Sequence, residues 1–166
     1  MFRMQWTKQQ SCFADLANRK AVAKNTMPVA IIDIPCLAWG AKEKLHKDVA
    51  ESMHDAYRMP DNRVYLREWT AEQTSFDGVI GASFRPLCNL IVPPILTAES
   101  RKMLASRVSS AIARACDLRP EVVPLPSGEQ VSTRWVLLFF HEVPLEQAAL
   151  DGLMAFENPM VPKDKH

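Results

Sequence analysis

The sequence lacks an apolar run of 18 or more residues, which argues against a helical membrane span. It has little net charge, because 20 Lys and Arg against 19 Asp and Glu leave +1. This balance gives no electrostatic reason to expect a nucleic-acid or membrane partner. No CxxC pair or zinc-finger spacing occurs among the four cysteines, which disfavours a metal site. Cys36, Cys88 and Cys116 are interpreted as small apolar packing residues in a reducing compartment, so a cytoplasmic location is predicted.

The sequence does have enough apolar residues, 48% of 166, to bury the core of one domain. Its first 26 residues show no sustained period and carry five basic residues against one acid, Asp15. That bias resembles a transit peptide and also suits a disordered arm or a start codon assigned too far upstream. We predict an extension at 1–26, a domain at 27–152 and a tail at 153–166.

A first strand–helix–strand pattern begins at Pro28. A short β-branched apolar run from Val29 ends at Pro35, as expected of a buried strand. A helical stripe follows from about Ala41 and ends near Met59, before a proline. Its apolar members are Leu45, Val49, Met53 and Ala56. The segment 63–69 then alternates with period two, which predicts a strand.

The same pattern returns after a predicted short strand or hairpin arm at 74–81. The run Leu87–Val92 predicts a strand, and Thr97 is a candidate N-cap for the next helix. The apolar stripe of that helix consists of Leu104, Val108, Ala111, Ile112 and Ala115. A loop is predicted at 124–133, followed by a strand at 135–140.

Strand, helix, proline break and strand therefore occur twice, about 60 residues apart, with Pro60 and Pro120 at matching places. The repeat predicts an α/β protein of two tandem β-α-β units, with a four-stranded mixed sheet and both helices on one face. The other face of the sheet then needs a cover. This argues for a homo-oligomer.

Several motifs, in order along the chain, resemble those of the tautomerase superfamily, whose fused members are tandem β-α-β proteins similar to malonate semialdehyde decarboxylase, cis-3-chloroacrylic acid dehalogenase and macrophage migration inhibitory factor. They are Met27-Pro28-Val29-Ala30-Ile31-Ile32-Asp33, the helix 42–57, Phe76-Asp77-Gly78-Val79-Ile80-Gly81, Trp135-Val136, Glu142-Val143-Pro144 and Gly152. The resemblance implies a homotrimer, no cofactor and a small 2-oxo acid or enol as substrate. It also places Pro28 where the family has its catalytic N-terminal proline.

The chemistry implied for Pro28 is proton transfer between carbon and oxygen through an enol. A free N-terminal proline is a secondary amine, and an apolar pocket or nearby cations lower its pKa towards neutrality. The developing enolate needs a cation or donor, and an arginine also binds a substrate carboxylate with both of its outer nitrogens. The resemblance suggests Arg63 first for this role and Arg67 second. It suggests Tyr57 and Asp61 as further substrate-binding residues, although a tyrosine at a helix end is more often a packing residue and an aspartate after proline is common turn chemistry.

Two departures from the family pattern narrow the range of reactions expected of this chain. The arginines that the decarboxylase and dehalogenase carry after the third strand are absent from 93–97. Decarboxylation and hydration are therefore disfavoured, and keto–enol tautomerisation is favoured. In the printed chain Pro28 also follows Met27, so its nitrogen is an amide. Three interpretations stay open: translation begins at Met27, the extension is cleaved, or the extension stays and proline chemistry is lost, as in a non-catalytic trimeric binding or signalling protein. A proline-based decarboxylase or hydratase is kept as a further alternative.

Overall fold

A computed structural model describes residues 28–58, 62–81, 85–94, 96–144, 147, 149–150 and 153–154. The helices and strands in these ranges are β1 (Val29–Pro35), α1 (Trp39–Tyr57), β2 (Arg63–Trp69), β3 (Ser75–Phe76), β4 (Val79–Ile80), β5 (Leu87–Val92), α2 (Ala98–Ala115), β6 (Glu121–Pro124), β7 (Gln130–Thr133), β8 (Leu137–Glu142), β9 (Ala149–Leu150) and β10 (Leu153–Met154). A 3₁₀ turn spans Ala71–Gln73.

The main sheet has the strand order β2-β1-β5-β8. Strands β1 and β2 are parallel and joined through α1, and β5 and β8 are parallel and joined through α2. The two central strands, β1 and β5, are antiparallel. Parallel neighbours need a crossover connection, and each helix supplies one. The predicted mixed sheet of two tandem β-α-β units is confirmed.

Both helices cover the same face of this sheet. The buried cluster between them consists of Ala30, Ile32, Ile34, Cys88, Leu90 and Val92 from the strands, and Leu45, Val49, Met53, Tyr57, Leu104, Val108, Ala111 and Ile112 from the helices. Because strand side chains alternate between faces, every second residue of β1 and β5 enters this core. Each fully buried aliphatic side chain contributes about 1.5–3 kcal/mol to folding.

The opposite face of the sheet has no covering element among the described residues. Its apolar members alternate with core residues along their strands and are Val29, Ile31, Leu87, Ile91, Leu137 and Phe139. Polar Asp33, Asn89 and His141 lie on the same side, and the last two share a hydrogen bond of 2.9 Å. Leu137 is 52% exposed and Phe139 is 44% exposed. We call the six apolar residues the open face. The place of Phe139 on this face leaves it outside the core.

The two units are related residue by residue. Pro28 and Pro86 each precede the first strand of a unit, and both are fully buried. The carbonyl oxygen of Pro28 accepts the N–H of Arg63, and that of Pro86 accepts the N–H of Leu137, each at 3.0 Å. These bonds begin the parallel pairings β1–β2 and β5–β8 at the same relative position. The internal repeat inferred from the proline breaks is therefore a repeat of structure.

Local signals placed most element boundaries correctly. Thr97 is the N-cap of α2, and its hydroxyl oxygen accepts the N–H of Ser100 at 3.2 Å. The predicted arm at 74–81 is the β3–β4 hairpin. Strand β2 has the bounds that its period-two pattern predicts. Helix α1 begins slightly earlier than predicted, at Trp39.

The predictions around 124–140 were partly wrong. The segment interpreted as a loop forms the β6–β7 hairpin, whose turn contains Gly128 at a φ of +87°. Strand β8 begins two residues later than predicted, because Trp135 has a left-handed φ of +55°, which interrupts extended backbone. The guanidinium of Arg85 lies 3.9 Å from the centroid of the Trp135 ring, and the indole donates to Glu121 at 2.6 Å. These contacts hold the tryptophan in that conformation.

Cys36 does not pack as an apolar core residue, whereas Cys88 does. Cys36 is exposed and Cys88 is fully buried. Burial also raises the pKa of the Cys88 thiol to about 12, and the nearby Asp33 carboxylate adds to the shift. Because the thiolate is the reactive form, Cys88 has little of it near neutral pH.

We therefore expect iodoacetamide at pH 8 to alkylate Cys36 at least tenfold faster than Cys88. Peptide mass mapping of the time course measures both rates in one sample. Denaturant provides the control, since unfolding removes the burial and brings the two rates together. Equal rates in the native protein would contradict the described packing.

Candidate functional site

Pro28 lies at one edge of the main sheet, where β1 begins and β5 and β8 end. Val29 pairs with Ile91, so continuing the register by one residue places Pro28 level with Val92. Val92 in turn pairs with Glu142. Each helix runs antiparallel to the strand before it, so α1 ends and α2 begins at this same edge. We call it the Pro28 edge.

The backbone N–H of Arg63 donates to the carbonyl oxygen of Pro28, and this hydrogen bond begins β2. Arg63 has Val29 as its in-register partner, so its side chain projects from the same side of the sheet as the open face. Tyr65 and Arg67 share that side, as the period-two pattern predicts. The structure thus brings Arg63 to the Pro28 edge but directs its side chain away from the helices.

Arg67 lies farther along β2, opposite Asp33. Four residues of strand separate it from Arg63, which corresponds to about 13 Å. Its Nη2 donates to Asp33 Oδ2 at 2.6 Å, and the Trp69 indole N–H donates to Asp33 Oδ1 at 2.7 Å. Both oxygens of this buried carboxylate are therefore satisfied. Within one chain the structure does not bring Arg67 to Pro28.

Tyr57 is the last residue of α1 and lies on the helix side of the sheet, where it belongs to the buried core. Burial raises the pKa of its hydroxyl far above the ordinary value, and the Glu142 carboxylate raises it further, while Arg101 opposes the shift. These charge effects place Tyr57 near both groups. Asp61, the remaining candidate, lies outside the described residues.

An ion pair at the Pro28 edge was not anticipated from the sequence. Arg101, in the first turn of α2, donates from Nη2 to Glu142 Oε1 at 2.5 Å. Its Nε is buried and has no hydrogen-bond partner among the residues the structure describes. The segment 93–97 was searched for arginines and has none, but α2 brings Arg101 to this edge one turn later. Only the register of β8 shows that Glu142 lies beside it.

The Tyr57 shift predicts how stability depends on pH. A folded-state pKa above the unfolded value keeps the proton bound, so its stabilising contribution is complete below the unfolded pKa of about 10. The contribution is lost as pH rises through and beyond that value. We expect the free energy of unfolding to fall above about pH 10, less steeply in Tyr57→Phe. Urea unfolding at pH 8 and 10.5 measures this, and parallel losses in both proteins would contradict it.

No group of three or more His, Cys, Asp or Glu side chains in the described ranges is arranged to hold a metal ion. The same part of the chain contains no helix that is both long and apolar enough to cross a bilayer.

Comparison with solved structures shows which fold this is. A fused 4-OT crystallised as a symmetric trimer has a TM-score of 0.62 at 19% identity, over 78% of this chain and 97% of that one. Pt0534 inactivated by 2-oxo-3-pentynoate has a TM-score of 0.60 at 15% identity, over 76% and 95%. Macrophage migration inhibitory factor of Toxoplasma gondii has a TM-score of 0.56 at 15% identity, over 74% and 96%. No family model and no curated protein matches the chain.

The chain has the tautomerase/MIF-like α+β fold, as the resemblance in its motifs implied. It is the fused form of that fold, with both β-α-β units in one polypeptide. At these identities the likeness establishes architecture alone, so activity and assembly are argued separately below.

Proposed function

We propose that this protein is a cofactor-independent keto–enol tautomerase, an isomerase that uses the amine of Pro28 as general base on a small 2-oxo acid or its enol. The observation that carries the proposal is the convergence at the Pro28 edge of a proline, the backbone of Arg63, the buried Tyr57 and the Arg101–Glu142 pair. It adds to a fold whose solved members include a protein inactivated by a 2-oxo acid.

The chemistry assigns a task to each group at this edge. A neutral Pro28 amine takes the proton from the carbon next to the carbonyl and returns it at the other end of the enol. The cations of Arg101 and Arg63 lower the pKa of that amine and stabilise the enolate oxygen or the carboxylate. Tyr57, held protonated by burial, is a neutral hydrogen-bond donor. We propose Arg67 as a substrate contact only in an assembly, because Asp33 occupies it within one chain.

The amine exists only where Pro28 begins the polypeptide. In the printed sequence its nitrogen is acylated by Met27, and its ring is fully buried. The proposal therefore requires a chain that starts at Pro28 and exposes the ring to substrate. A preparation beginning at Pro28 is expected to ketonise phenylenolpyruvate, as measured by the change in absorbance, while one that keeps Met27 does not. Equal rates for the two preparations would sink the proposal.

We further propose a homotrimer that covers the open face. An apolar face that includes half-exposed Leu137 and Phe139 is unusual for a monomer, because large exposed apolar patches are commonly interfaces. The fused 4-OT of the same fold is a trimer. Since the side chain of Arg63 projects on this side of the sheet, assembly would place it at a boundary between subunits.

A non-catalytic trimeric binding protein of the same fold is the second candidate. The acylated nitrogen and the buried ring of Pro28 favour it. It predicts that protein purified from its native source retains residues before Pro28 and shows no tautomerase activity. Intact-mass and N-terminal analysis of that material, combined with the assay above, decides between the two candidates.

A further inference from the structure

The internal repeat provides a comparison for the ion pair at the Pro28 edge. Arg101 is the fourth residue of α2 and pairs with Glu142, the sixth residue of β8. Lys42 is the fourth residue of α1 and pairs at 2.7 Å with Glu68, the sixth residue of β2. Both pairs fasten the start of a helix to the end of the strand that follows it. This shared position explains why each acid is present.

The two ion pairs differ in the hydrogen-bonding groups that they leave unpaired. Glu68 has both oxygens engaged, because Oε1 accepts the N–H of Leu37 at 2.8 Å while Oε2 binds the Lys42 ammonium. At the Pro28 edge the cation is a guanidinium with several donors. Glu142 occupies Nη2, and the buried Nε has no partner in the described part of the chain. The Arg101 side chain is 41% exposed, so the part of it that neither binds Glu142 nor is buried is accessible to an acceptor supplied from outside.

We propose that Glu142 determines the charge of the ligand accepted at the Pro28 edge, by leaving Arg101 able to bind one carboxylate while disfavouring a second. The inference rests on the proposed function and names its substrate class, monocarboxylate 2-oxo acids and their enols in preference to dicarboxylates. Glu142 is a specificity-determining residue, because it acts through Arg101 and by its own negative charge.

The charges around the edge support this assignment. The Glu142 carboxylate is about one-third exposed, so its field is only partly screened by water. It offsets part of the positive charge that Arg101 offers to a dianion. Arg63 adds a positive charge, but it projects from the opposite side of the sheet. On the helix side of the sheet, one ligand carboxylate therefore binds Arg101. A second carboxylate is repelled by the negative charge of Glu142.

The test is calorimetric titration of the full chain with crotonate and fumarate, which share a four-carbon trans-alkene and differ by one carboxylate. We expect the unmodified protein to bind crotonate more tightly. In Glu142→Gln, affinity for fumarate is expected to rise about five- to tenfold relative to crotonate, as removal of one partly screened charge implies. The matched variant Glu68→Gln loses the equivalent ion pair of the other unit and is expected to keep the original preference.

Glu142→Asp separates the effect of the carboxylate charge on ligand preference from any effect on folding. It retains the negative charge and is expected to keep the crotonate preference even if shortening the side chain lowers the melting temperature. An unchanged preference in a folded Glu142→Gln, the same shift in Glu68→Gln, or no binding of either probe would each overturn the proposal.

Failure of this specificity proposal can be distinguished from failure of the proposed function. Tautomerase activity in a chain that begins at Pro28, with no shift in Glu142→Gln, refutes the specificity role alone, and the predicted shift without activity in such a chain refutes the tautomerase alone.

Discussion

Replacing Pro28 with alanine in a chain that begins at this residue is expected to lower kcat/KM for ketonisation of phenylenolpyruvate by about 10²- to 10⁴-fold, the usual contribution of a general base. Proline supplies a secondary amine on a rigid ring, so both the basicity and the direction of its lone pair are fixed. An N-terminal alanine has a primary amine that rotates freely. Its loss of orientation adds to the change in basicity.

Pro86→Ala is the matched control for that variant. Pro86 holds the same place in the second unit, is equally buried, and has an internal nitrogen that cannot act as a base. It is expected to keep its activity per folded molecule, with any cost confined to stability. Similar losses of activity in both variants would show that the proline matters for folding rather than for proton transfer.

The second large effect is expected at the open face. Phe139→Glu places a charge on the open face, which the proposed trimer buries. Burying an unpaired carboxylate costs several kcal/mol, so the trimer is expected to dissociate at least 100-fold more readily. Sedimentation equilibrium or light scattering coupled to size-exclusion chromatography measures the change, with circular dichroism confirming that the subunit remains folded.

Met103→Glu provides the comparison for Phe139→Glu. Met103 is 62% exposed on α2, on the side of the molecule opposite the open face. The same charge there is expected to leave the assembly unchanged. A trimer that survives Phe139→Glu, or one that both variants disrupt, would contradict the assignment of the open face as the interface.

The sequence predicted the structure correctly where a feature depends only on residues close together in one segment. The period-two pattern of β2 and the hydroxyl cap at Thr97 each depend on a few neighbouring residues, and the structure agrees with them. Trp135 shows the limit of such rules. Its apolar, β-forming surroundings favour a strand, but contacts with Arg85 and Glu121, distant in sequence, accompany a left-handed backbone instead.

The candidate site depended more on contacts between segments. Nothing in the alternation of β2 distinguishes Arg63 from Arg67, and only the register with β1 shows that Asp33 occupies the second arginine. Arg101 was missed for the same reason. Its position in a helical stripe is unremarkable until the pairing of β5 with β8 brings Glu142 to the first turn of α2.

The central claim is that a free Pro28 amine is the catalytic base, and covalent labelling tests it most directly. A chain that begins at Pro28 is incubated with 2-oxo-3-pentynoate, an electrophilic 2-oxo acid, and the adduct is located by peptide mass spectrometry while ketonisation is assayed. The account predicts one adduct per subunit on the nitrogen of Pro28, formed in step with the loss of activity. Full activity with Pro28 labelled, or inactivation with the label on another residue, would contradict it.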